Sequence, residues 1–158
     1  MAKPGPLMRQ ILGAYQLLTG GFGALYHAVL IVRAGGASLG GLVFVGLFAL
    51  VAYAGYALLK NRSNGPQLTL VAQALQSVQI SSSSFAYRFV AGLAFWVTLG
   101  STGLGISGLD FGAFYRWMTA STFGTTRSAA PFTVGINLIA AAIVVWLLYW
   151  SGSKKKRR

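Results

Sequence analysis

The sequence predicts a membrane protein, mainly α, with three or four transmembrane helices: a hairpin, a short third helix and a C-terminal helix. A small antiparallel β segment is expected at the membrane surface. Three observations lead to this fold class. Residues 11–32, 40–59 and 132–150 contain no Asp, Glu, Lys or Arg. As helices rising about 1.5 Å per residue they are roughly 28–33 Å long, the thickness of a bilayer's hydrocarbon core. The composition agrees: 55% apolar and only 9% charged residues is the balance of a lipid-solvated chain. Lastly, the apolar period changes from 3.6 to 2 beyond residue 84, which is the signature of strands.

The first element starts after Lys3 and Arg9, and its apolar run of 22 residues exceeds a signal peptide's core of about 7–15. It is expected to be a retained transmembrane helix. Gly13, Gln16, Gly20, Gly23 and His27 recur at spacings of 3, 4, 3 and 4, which puts them on one helix face. A short glycine-rich connection, residues 33–39, makes the second run an antiparallel partner. Its matching stripe is Gly46, Ala49, Tyr53, Tyr56 and Lys60. The two stripes are expected to meet, because small residues let helix backbones approach in lipid. A polar path through the bilayer is the sharper alternative.

Residues 1–62 thus form a helical hairpin closed by Lys60 and Arg62. In 63–84, Pro66 suits the first turn of a short helix running to about Ile80, either lying in the interface or crossing the membrane. Leu68, Leu70, Val71, Ala74, Leu75 and Val78 make its apolar face; Thr69, Gln73, Gln76 and Ser77 lie opposite. In the segment 85–127, Phe85, Tyr87, Phe89, Leu93, Phe95, Val97 and Leu99 alternate with mostly small or polar residues, and alternation returns at Leu109, Phe111, Tyr115 and Trp117. Two or three antiparallel strands are predicted over 85–123, with turns supplied by the glycine-rich stretch 100–108. Open sheet edges are excluded from hydrocarbon, so these strands belong at the surface with their aromatic face against lipid, the short helix or a second copy. A full membrane span over 85–99 is the competing reading. The last helix, within 128–152, follows Pro131 and carries Asn137, from which an interhelical hydrogen bond is expected.

The charge is one-sided. Thirteen Lys and Arg stand against a single acid, Asp110, for a formal +12. Five of the cations, Lys154, Lys155, Lys156, Arg157 and Arg158, form the tail 153–158. Because the cations flank apolar runs, they read as orientation signals and contacts to anionic lipid headgroups rather than as a nucleic-acid surface. The expected location is the plasma (inner) membrane with the C-terminus cytoplasmic. Placing both Lys60-Arg62 and the tail on that side favours four crossings over three.

Little reactive chemistry is available. Without cysteine there are no disulfides, iron–sulfur clusters or thiolates. One acid cannot supply a carboxylate pair, and one His with one Asp falls short of a zinc site. No P-loop is present, and no serine sits in a nucleophile elbow. Asp110 has Arg88, Arg116 and Arg127 as candidate partners in or near the sheet. Neither catalytic, metal nor cofactor residues are assigned. The expectation is a non-enzymatic protein that acts through protein–protein or protein–lipid contacts as an accessory, assembly or scaffold subunit. Its partners would be the bilayer with its anionic lipids and either further copies or an unidentified membrane protein. A small self-associating pore lined by the Gly13–His27 stripe, holin-like in layout only, is the alternative.

Overall fold

A computed structural model describes residues 5–36, 39–81, 86–100, 103–107, 123–124 and 132–153. The elements run α1 (Pro6–Arg33), α2 (Leu39–Leu59), α3 (Gly65–Ser77), β1 (Val78–Ser81), β2 (Ala86–Arg88), β3 (Trp96–Gly100), β4 (Gly103–Ser107), β5 (Phe123–Gly124), β6 (Thr133–Asn137) and α4 (Leu138–Ser153). The molecule is mainly helical, with a small antiparallel sheet. Its chain divides into two compact units, one of residues 1–73 and 142–158, the other of residues 74–141.

In the first unit, α1 begins with Pro6 in its first turn, where the missing N–H costs nothing. It ends where Gly35 takes φ +71°, a left-handed conformation suited to glycine. Two helices, α1 and α2, are long and apolar enough to cross a membrane. They pack along a common face that buries Leu12, Gly13, Gln16, Gly20, Gly23 and His27 of α1. On α2 the buried residues are Phe44, Phe48, Val51, Ala54, Gly55, Ala57 and Leu58. The start of α3 lies on the end of α2: a Cβ on Gly65 would be 3.1 Å from the Ala57 carbonyl carbon.

In the second unit the strands described form a six-stranded sheet in the order β4-β3-β6-β1-β2-β5, with antiparallel neighbours throughout. Strand β6 is central. Val78 of β1 pairs with Ile136 of β6, which pairs with Val97 of β3, which pairs with Ile106 of β4. One rank further on, Ile80, Val134, Leu99 and Leu104 line up in the same way. Directly opposed residues share a face, so these eight aliphatic side chains lie on one side of the sheet.

Several expectations are corrected here. The apolar run 132–150 is not one helix. Its first residues alternate Phe132, Val134 and Ile136 with Thr133, Gly135 and Asn137, and they form β6. What remains as α4 has 16 residues, about 24 Å of rise and short of a full span. The short third helix stops at Ser77, because Val78–Ser81 pairs as β1 on both of its edges. Residues 103–107 of the glycine-rich stretch are not a turn but β4, paired along its length with β3. Among the described residues of the 85–99 stretch, 86–99, no helix occurs: two strands are joined there by irregular chain. The sheet therefore extends beyond the predicted 85–123 at both ends, and its exposed face is aliphatic rather than aromatic. The alternation at Leu109 to Trp117, Asp110 with Arg116 and Arg127, and the tail residues Lys154, Lys155, Lys156, Arg157 and Arg158 lie outside the described residues.

Candidate functional site

Three features of these units bear on function, and the first is the α1–α2 seam. Gly13, Gly20 and Gly23 sit where α2 approaches the α1 backbone. A Cβ on Gly20 would lie 2.8 Å from the Phe48 carbonyl oxygen and 3.0 Å from Ala52 Cα. At Gly23 the occupant is the ring of Phe48, whose Cγ is 2.7 Å from where a Cβ would be. His27 stacks on the same ring, with centroids 4.9 Å apart. Its Nδ1 lies 3.0 Å from the Gly23 carbonyl oxygen. A carbonyl can only accept, so Nδ1 carries the proton in that contact.

The matching stripe on α2 is not the one expected. Gly46 is exposed, with nothing within 4 Å of an added Cβ, and Ala49 and Tyr53 are exposed as well. The face that meets α1 is Phe44, Phe48, Val51, Gly55 and Leu58, spaced 4, 3, 4 and 3. The glycine groove of α1 receives a large ring at Phe48 and a second glycine at Gly55, so small and large residues complement one another. Because α2 already fills the Gly13–His27 stripe, that stripe is not left free to line a pore between copies.

Polar groups gather inside. Gln16 and Thr69 are fully buried, and the Thr69 hydroxyl donates to Gln16 Oε1 at 3.1 Å. Gln73, one turn beyond Thr69, is buried too. Helix α3 thus turns its polar side inward, while Val71, on the side read as apolar, is 49% exposed. In the second unit Gln76 Oε1 accepts from the Ala91 N–H at 2.9 Å. Asn137 is not in the middle of a helix: it ends β6 and caps α4, its Oδ1 accepting from the N–H of Ile139 and of Phe95, each at 3.2 Å. An Asn at the N-cap satisfies one of the helix's orphan donors. The expected interhelical bond is replaced by this cap.

The second feature is the sheet. Its aliphatic face leaves Val78, Leu99, Leu104, Ile106, Val134 and Ile136 each more than a third exposed. The reverse face carries Trp96, Thr98, Gln79, Gly135 and Asn137, and Trp96, Gly135 and Asn137 are buried. Gly135 is a notch: a Cβ there would meet Gln79 Cγ at 2.7 Å and Thr98 Cγ2 at 2.8 Å. The Arg88 guanidinium sits over the Trp96 ring, 5.3 Å from its centroid, within reach of a cation–π contact.

The third is the basic end of the hairpin, where α1 begins and α2 ends. Arg9 Nη1 donates to Asn61 Oδ1, and Arg62 Nη1 donates to the Tyr53 hydroxyl at 3.2 Å. The Arg62 guanidinium also lies 5.1 Å from the centre of the Tyr56 ring. Lys60, the neighbour of Asn61 in the chain, is exposed. The charge pattern of the sequence singled out Lys60 and Arg62 as orientation residues and Arg9 as a flanking charge, but not the meeting of Arg9 with Asn61, which depends on the hairpin closing. Compared with known protein families, curated proteins and solved structures, the chain matches none.

Proposed function

We propose that this chain is a non-enzymatic integral membrane protein that acts through contacts of its helix and sheet surfaces, as an accessory, assembly or scaffold subunit. The observation that carries this reading is an inverted polarity. Gln16 is fully buried, whereas Leu18, two residues along the same helix, is 71% exposed. In water such an arrangement leaves apolar surface hydrated and spends the interior on amides. In hydrocarbon it is the favourable one, because the Gln16 amide oxygen accepts from Thr69 inside while the aliphatic side chains face lipid. The two candidate spans support the same medium. Only 22% of the most apolar stretch of α1 and 39% of that of α2 is buried, whereas the core helix of a water-soluble domain is mostly covered.

The charges favour two crossings, with α1 and α2 as the spans. Arg9, Lys60 and Arg62 lie at the open end of the hairpin, and Arg33 follows the other end. A two-crossing topology sets Arg9, Lys60, Arg62 and the basic tail on one side, the cytoplasmic one by the positive-inside rule. It needs neither a third nor a fourth span from α3 or α4. The exposed aliphatic face of the sheet supplies a surface for a partner protein or for lipid.

Carbonate washing of membranes followed by ultracentrifugation tests the medium: the chain is expected in the pellet, and recovery in the supernatant overturns the proposal. Crosslinking in native membranes tests the contacts. Adducts with a copy or a second protein are expected; a chain found only as an isolated monomer argues against a scaffold or assembly role.

A further inference from the structure

We infer that the basic end of the hairpin is a binding site for the phosphate of an anionic phospholipid, formed by Arg9, Lys60 and Arg62 and steadied by Tyr53, Tyr56 and Asn61. The inference rests on the membrane reading above and deepens it from a general preference for lipid to one site.

Positive charge converges there from separate stretches of chain. Arg9 comes from the second turn of α1, and Lys60 and Arg62 from the turn after α2. Asn61 joins them, holding φ +52° and accepting from Arg9. Two helix N-termini add to the potential. Helix α1 has no side-chain cap and no acid in its first turn, and α3, which starts three residues after Arg62, has no acid in its first turn either. Each N-terminus carries roughly half a positive charge. The opposing end of α2 is closed by its own chain, since the N–H groups of Lys60, Asn61 and Arg62 donate to the carbonyls of Tyr56, Leu58 and Ala57. No acidic residue occurs among the described residues, so none of these neutralises the cations.

The cations are also held in place. The Tyr53 hydroxyl and the Tyr56 ring fix the Arg62 guanidinium from two directions, and Asn61 fixes that of Arg9. A guanidinium has five N–H donors, and each of these contacts leaves several to meet phosphate oxygens. What selects a lipid over free phosphate is the apolar surface beside the charges. Leu7, Met8 and Leu59 are exposed within a turn of Arg9 and Lys60, so a bound phosphate would leave its acyl chains lying on aliphatic side chains. Tyr53 is 43% exposed, and tyrosine rings are enriched at the level of lipid headgroups.

The test uses the full chain reconstituted in vesicles of equal phosphatidylglycerol and phosphatidylcholine, then extracted in mild detergent, with co-purifying lipid counted by native mass spectrometry. Enrichment of phosphatidylglycerol is expected. Removing both guanidinium groups, Arg9→Gln with Arg62→Gln, should lower that enrichment by about tenfold or more, since each cation near an anionic surface contributes substantially. Replacing both by Lys should restore most of it, which separates lost charge from lost folding. Neutralising Lys154 to Arg158 should leave the enrichment in place. Three results overturn the site: enrichment that survives the Gln pair, enrichment that disappears with the tail, or displacement of the lipid by millimolar inorganic phosphate. Failure of the underlying membrane reading looks different, because the wild-type chain would then not pellet with carbonate-washed membranes.

Discussion

Gly55 of α2 rests directly on Gly13 of α1: a Cβ on Gly55 would stand 2.5 Å from the Gly13 carbonyl oxygen and 3.0 Å from the carbonyl carbon of Gln16. Neither neighbour is the movable end of a side chain. Gly55→Ala must therefore push two helix backbones apart, and overpacking of this kind costs about 1–3 kcal/mol. Gly46→Ala is the control, because an added methyl there meets nothing within 4 Å. It should be neutral or stabilise by up to about 1 kcal/mol through helix propensity. Unfolding of the two variants in mild detergent, followed by circular dichroism, measures the contrast.

The buried contact between Thr69 and Gln16 predicts a coupling. Thr69→Val removes the donor and keeps the shape, leaving Gln16 Oε1 without that bond. In a lipid-like interior such bonds average about 0.6 kcal/mol and reach roughly 1.7. A double-mutant cycle with Gln16→Leu should return a coupling in that range. Additive effects of the two substitutions would mean that the hydroxyl and the amide do not interact in the folded protein.

Reporters at residues 35, 64 and 155 address the proposed two-crossing topology. Positions 64 and 155 are expected on the same, cytoplasmic, side and position 35 on the other. Residue 64 found with residue 35 would remove the hairpin, and residue 155 opposite residue 64 would require one more span than α1 and α2 supply.

Much of α1 could be read directly, because its small and polar positions keep a strict spacing along an otherwise apolar helix. On α2 the same method chose the wrong face. That helix is apolar all round, so periodicity has little polar contrast to work with. Gly46 and Gly55 are nine residues apart, which at about 100° per residue puts them on opposite sides, and the stripe drawn through Gly46 excluded Gly55. The strands show a different failure. Val78, Ile80, Val134, Ile136, Leu104 and Ile106 alternate with small or polar residues, yet β1 and β6 abut helices without a break and β4 is rich in glycine. A period of 2 over four or five residues is easily absorbed into an adjoining helical run or a turn. Arg9 and Asn61 are 52 residues apart in the chain, so their meeting is a product of the fold and not of any local pattern.

Asn137 joins three segments at once, ending β6, capping α4 and holding the chain before β3. Asn137→Ala deletes acceptors for two backbone N–H groups. Loss of an N-cap alone typically costs about 1 kcal/mol, and a buried donor left without a partner about 1–3 more. Faster amide hydrogen exchange at Phe95 and Ile139 is the expected local sign, with Thr98 and the rest of β3 less affected. Unchanged protection at both amides would show that the side chain does not bear these bonds.

Tyr87 links the sheet to pH. Its hydroxyl donates to the Leu75 carbonyl at 2.8 Å, and burial pushes the phenol above its usual value near 10. The neutral form is thus favoured in the folded state. Stability from this group is complete below the unfolded pKa and is lost as pH rises through the folded one, so the effect lies on the alkaline side of about pH 10. Tyr87→Phe should cost about 1 kcal/mol at neutral pH by removing the hydrogen bond and should flatten that alkaline loss. Unfolding measured from pH 8 to 11 compares the two proteins. Identical slopes would exclude Tyr87 as the titrating group, since the phenylalanine variant has no proton to release at that position.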